Sequence, residues 1–146
     1  MSDKATIPSR AVFSHFSEMQ TRWHDNDVYQ HVNNVVYYSF FDTAVNQHLI
    51  NSGALNIANS PAIGLVIETQ CRYFSAVSFP DLIVVGIKVE HLGNSSVRYQ
   101  TAIFRNDEDS ASAVGNFVHV YVDRNTNKPV RIPDKVRSVL TALICE

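Results

Sequence analysis

Cysteine is nearly absent from this chain: Cys71 and Cys145 are the only two in 146 residues. They form no CxxC pair and are too few for a disulfide framework, a usage that suits a reducing compartment. Each fits inert packing better than nucleophilic chemistry. An excess of basic charge is also missing. Twelve Lys and Arg against 14 Asp and Glu leave a formal charge of -2, which argues against a cationic field for nucleic acid. No apolar run is long enough to span a bilayer, and Met1 to Pro8 contains no apolar leader segment. A soluble cytoplasmic protein is expected, binding neither nucleic acid nor membrane. There is no Gly-x-Ser-x-Gly elbow, which weighs against a serine hydrolase, and no glycine-rich phosphate loop.

What is present is a globular composition, with 45% hydrophobic and 18% charged residues. A flexible polar arm over residues 1–12 and a single domain over 13–146 are expected. His15 to His24 mixes polar and apolar residues and reads as a strand. From about Asn34 to Ser52 a helix follows, with an asparagine as its N-cap and Gly53 as its stop. Val35, Val36, Tyr37, Tyr38, Phe40, Phe41, Ala44, Val45, Leu49 and Ile50 leave that helix only a narrow polar stripe. Such a helix has to be surrounded.

The surroundings come next in the chain. Ile63 to Phe74, Leu82 to Leu92, Ser96 to Arg105 and Ala113 to Asp123 are rich in Val, Ile, Tyr, Phe and Thr. Each ends in turn chemistry, such as Gly93-Asn94, and the short connections favour antiparallel pairing. Asp134 to Ile144 carries Val136, Val139, Leu140 and Leu143 at helical spacing. The class is α+β: a curved antiparallel sheet wrapped around a long central helix, plus a C-terminal helix. A helix of that length is a rod of about 27 Å, comparable with the strands.

The chemistry concentrates in Trp23-His24-Asp25-Asn26-Asp27-Val28-Tyr29-Gln30-His31-Val32-Asn33-Asn34, directly before the apolar helix. Carboxylates beside the free N–H groups of a helix start can handle an oxyanion. His24, Asp25, Asp27, His31 and His48 have the donors for a metal, but no HExxH-type spacing and no cysteine joins them. No metal and no cofactor is expected.

Asp25-Asn26-Asp27-Val28-Tyr29-Gln30-His31-Val32-Asn33-Asn34 with the aromatic stretch behind it resembles the hotdog-fold thioesterases of the 4-hydroxybenzoyl-CoA thioesterase-like branch. Their pattern is Asp-x-Asp-x-x-Gly-His-Val-Asn-Asn. Weaker similarity extends to Tyr73–Asp81, Leu92–Ser96 and Val118–Pro133. Gln30 stands where that branch usually has glycine. Gln-His-Val-Asn-Asn is also similar to plant acyl-carrier-protein thioesterases, although Tyr29 replaces their asparagine.

The resemblance implies an acyl-CoA thioesterase, with acyl-CoA as substrate. It implies Asp27 as the catalytic carboxylate, acting as nucleophile or as general base, and the backbone N–H of Asn34 as the oxyanion donor. Asp25 more readily shapes the turn. His31 either lines the substrate channel or holds the loop. Tyr29 and Tyr38 border the acyl pocket or serve the core. Arg72, Lys88, Arg98 and Arg105 are possible phosphate partners, or ordinary solvated cations. A homodimer, and beyond it a homotetramer, follows from the same resemblance. The competing functions are an acyl-carrier-protein thioesterase and a non-catalytic acyl-thioester binder.

Overall fold

The computed structural model describes residues 6–144. Strand β1 (His15–Gln20) leads to helix α1 (Asn34–Asn51), followed by β2 (Ala62–Tyr73), β3 (Leu82–Leu92), β4 (Ser96–Arg105), β5 (Ala113–Asp123) and helix α2 (Asp134–Thr141). The strands make one antiparallel sheet in the order β1-β3-β4-β5-β2. Helix α1 lies against its inner face. This is the expected curved sheet around a central helix.

Sequence alternation decides which face each residue takes. Ile83, Val85, Ile87 and Val89 of β3, with Val97, Tyr99 and Ile103 of β4, pack in one cluster with Tyr37, Phe41, Val45 and Leu49 of α1. On the outer face Val84, Ala102 and Phe104 gather with Phe13 and Ala111 in a second, smaller cluster. Gly115 is required where α1 presses closest: a Cβ there would stand 2.5 Å from Phe41 Cε2. Residues 1–5 of the expected arm lie outside the described residues. The rest of it is bonded, the Arg10 guanidinium donating to the Glu108 and Asn106 carbonyls and the Pro8 carbonyl accepting from Ala111.

Four expectations change. The first strand stops at Gln20, not His24, because Thr21 turns to bond the Asp81 carbonyl and Trp23–Asp25 form a 3-10 turn. The second helix stops at Thr141, short of Ile144. Helix α1 is not surrounded: Val35 remains 67% exposed and Ile50 42%. Its uncovered side faces away from the sheet's centre. Finally, β2 does not pair with its successor β3. It lies at the far edge beside β5, so the connection Phe74–Asp81 must cross the N-terminal end of α1.

That crossover positions the site. The Val32 N–H donates to the Val77 carbonyl at 2.7 Å, the Ser78 hydroxyl to the Gln30 carbonyl at 2.7 Å, and the Phe79 N–H to Asn26 Oδ1 at 3.1 Å. Val77, with 1% exposure, plugs the core beneath the turn.

Candidate active site

The polar turn is built from its own backbone outward. Asp25, 1% exposed, accepts from the Arg22 N–H at 2.8 Å and from the Arg22 guanidinium at 3.0 Å. Its carbonyl accepts from the Asn33 N–H at 2.9 Å. A buried carboxylate needs such partners, so Asp25 is committed to scaffolding. Asp27 closes a tight loop: its N–H donates to the His31 carbonyl and its carbonyl accepts from the Gln30 N–H, both at 2.9 Å. Its Oδ1 accepts from the Tyr29 N–H at 2.9 Å, an Asx turn. The other carboxylate oxygen, Oδ2, has no hydrogen bond among the described residues. The loop closes only because Gln30 adopts φ 67°, a left-handed conformation that glycine takes without cost.

Helix α1 starts immediately after. Asn33 is its N-cap, with Oδ1 accepting from the Val35 N–H at 3.0 Å, and its carbonyl accepts from Val36 at 2.9 Å. The N–H of Asn34 makes no hydrogen bond among the described residues. An unpaired donor at the positive end of an 18-residue helix is a ready oxyanion ligand.

Asp27, Tyr29 and His31 line one open cleft of about 810 Å³, together with Trp23, His24 and Phe79. Trp23 and Phe79 meet edge to face at 6.1 Å and form its aromatic wall. Tyr38 lies elsewhere. It lines a separate cavity of about 370 Å³ between α1 and β2, with Phe41, Asp42, Val66, Thr69 and Phe117. The structure thus gathers three of the five sequence-predicted residues in one cleft, keeps Asn34 at the helix start, and puts Tyr38 in the neighbouring cavity.

Two residues escaped the sequence reading. Tyr73, on β2, donates from its hydroxyl to the Asn34 carbonyl at 3.2 Å and packs edge to face on Tyr37 at 5.0 Å. It joins the helix start to the sheet edge. Burial, the Cys71 thiol and the Tyr38 hydroxyl push its phenol upward. Burial likewise raises the Cys71 thiol, which opposes a nucleophilic role. The signal for Tyr73 was there, since it shares a strand face with Cys71 and Thr69, but aromatics in strands read as core. His119, on β5, is the second. Burial lowers it to about 4, against a weak opposing pull from Asp42.

Three of the four basic candidates, all but Arg72, are engaged elsewhere. Arg105 pairs with Glu108 at 3.1 Å, Arg98 with Glu68 at 3.5 Å, and Lys88 sits 6.0 Å over the Phe13 ring. Among the described residues no three His, Cys, Asp or Glu side chains gather where they could hold a metal ion. No helix among them is long and apolar enough to cross a membrane.

Known proteins are similar to this chain in sequence and fold. The family model for the thioesterase-like superfamily matches residues 21–140. The long-chain acyl-CoA thioesterase FadM of Escherichia coli is 24% identical over 129 residues, covering 88% of this chain and 98% of that protein. Among solved structures, the PA5185 protein of Pseudomonas aeruginosa is 50% identical, with a TM-score of 0.94 over 97% of this chain and 99% of its own. A 1,4-dihydroxy-2-naphthoyl-CoA thioesterase from Synechocystis shares the fold, at 14% identity and a TM-score of 0.79 over 88% and 96% of the two chains. With the match spanning the polar turn, helix α1 and strands β2 to β5, the chain belongs to the thioesterase-like superfamily.

Proposed function

We propose that this protein is an acyl-CoA thioesterase, in which Asp27 and the Asn34 N–H carry the chemistry. What supports the reading above all is the conjunction of an unpaired Asp27 Oδ2 in an open cleft with an unpaired N–H at the start of α1. Water adds its oxygen to the thioester carbonyl carbon and gives up a proton to Asp27, or Asp27 attacks first and the mixed anhydride is then hydrolysed. In both routes the carbonyl oxygen becomes an oxyanion beside Asn34, the C–S bond breaks, and the CoA thiolate leaves and takes a proton. Tyr29 and His31 border the same opening. Tyr38 borders the neighbouring α1–β2 cavity, which suits an apolar acyl group. No step calls for a metal or organic cofactor.

A homodimer fits this site. Strand β2 is a 12-residue edge with Leu65, Val66 and Ile67 exposed, a surface that invites pairing with a second copy. The same copy would cover Val35 on the open side of α1. Pairing of such dimers into a homotetramer and a cytoplasmic location complete the proposal.

The test is thiol release from a panel of acyl-CoAs by the wild type and Asp27→Asn. Loss of about 10²- to 10⁴-fold in kcat/KM with the fold retained is expected. An unaffected variant, or no release from any chain length, refutes the assignment.

A further inference from the structure

Helix α1 and strand β2 run on together beyond the cavity at Tyr38. Further along both elements a second cavity of about 180 Å³ opens, walled by Asn46 and Leu49 of α1, Ile63 and Gly64 of β2, and His119 and Tyr121 of β5. Asn46 stands about 18 Å along the helix axis from Asn34. That is the span an extended long acyl group covers from its carbonyl at the helix start. Both cavities are mostly apolar, as a hydrocarbon tail requires, and the farther one adds the imidazole of His119 and the phenol of Tyr121.

His119 is only 2% exposed, and its Nδ1 has no hydrogen-bond partner. Packing does not explain the nitrogen. The ring contacts Phe117 at 5.3 Å and Tyr99 at 5.5 Å, which a phenylalanine would make equally well. A buried, unsatisfied polar atom weakens the fold, so a ligand that satisfies it is bound more tightly for that reason. Room for the ligand comes from Gly64. A Cβ at that position would lie 3.0 Å from His119 Nδ1 and 3.3 Å from Tyr121 Cζ. The missing side chain leaves imidazole and phenol facing the same space.

The chemistry selects the ligand. Neutral imidazole offers one donor and one acceptor, and a hydroxyl is both, so it satisfies either tautomer. A carboxylate would need a cation, yet Arg124 at the cavity's edge spends its guanidinium on the Ala58 and Ile57 carbonyls. We propose that the second cavity is a subsite for a neutral oxygen, a hydroxyl, near the tail of the acyl group, with His119 as its specificity-determining residue. The assignment of an acyl tail to these cavities rests on the thioesterase reading above.

Matched pairs of acyl-CoAs over a series of chain lengths, with and without a terminal hydroxyl, are compared for kcat/KM. Binding of the corresponding free fatty acids is measured by calorimetry. At one chain length the wild type favours the hydroxylated member by about ten-fold in both readouts. His119→Phe abolishes the preference while hydrolysis of the plain chain persists and thermal stability holds or rises. Gly64→Ala, which fills the space instead, lowers affinity for the hydroxylated acid. Absence of a preference in the wild type at every length, or its survival in His119→Phe, overturns the proposal. So does equal affinity for a terminal carboxylate. A binding preference lost in His119→Phe supports the subsite even if no acyl-CoA is hydrolysed, and only the hydrolase reading then falls.

Discussion

Gln30 is strained where it stands, and replacing it by glycine should stabilise the protein. Its φ of 67° places a side-chain-bearing residue in the left-handed region, which costs about 1–2 kcal/mol. Glycine removes that cost but loses about 0.5–1 kcal/mol through its freer unfolded chain. Nothing else changes, because both of its hydrogen bonds are backbone ones, from its N–H to Asp27 and from Ser78 to its carbonyl. The side chain is exposed and makes no hydrogen bond among the described residues. The balance is a gain of about 0.5–1 kcal/mol, or about 2–3 °C in Tm for a chain of this size. Urea and thermal unfolding at fixed protein concentration, with fixed pH and salt, measure it. Gln30→Val serves as the opposite control, since a β-branched residue tolerates positive φ poorly and should cost more than 1 kcal/mol. A Gln30→Gly protein less stable than the wild type would refute the reasoning, and would mean that the glutamine side chain does something the geometry does not disclose.

Other perturbations have equally definite outcomes. Asp25→Ala removes the acceptor of the Arg22 N–H, and should lower stability by about 2 kcal/mol in urea titration. Gly115→Ala forces a methyl into Phe41, and should cost about 1–3 kcal/mol by the same measurement. His119 falls from its ordinary 6.5 to about 4 on folding, so between those values the unfolded chain binds the extra proton. Stability therefore declines as pH drops from about 6.5 to 4, and His119→Phe should flatten that part of the profile relative to wild type.

Much of the fold could be read from residues alone where one face is buried and the turns are sharp. Strands β3, β4 and β5 run from end to end as expected because alternation such as Val97-Tyr99-Thr101-Ile103 meets Gly93-Asn94 or Asp107-Glu108-Asp109 at its limits. The cap by Asn33 and the stop at Gly53, with φ 79°, are local chemistry and were equally visible. What was hidden depends on register between distant elements. Nothing near Tyr38 says that the helix turns it into a cavity with β2 and away from the Asp27 cleft. Nothing near Tyr73 says that an edge strand brings its hydroxyl to the helix start. His119 alternates with Phe117 and Tyr121 like any core residue, and only the missing side chain at Gly64, far away in sequence, leaves its nitrogen facing a cavity.

The crossover at Val77 also has a consequence for how the molecule comes into being. Asp27, His31 and Asn34 precede strands β2 to β5 in the chain, yet the turn they form is fastened to a segment leading out of β2. That strand has a single ladder partner, β5, which ends at Asp123. A nascent chain halted after β4 therefore holds every residue of the polar turn without the edge that anchors it. The proposed site is thus completed by β5, not by the residues of the turn itself.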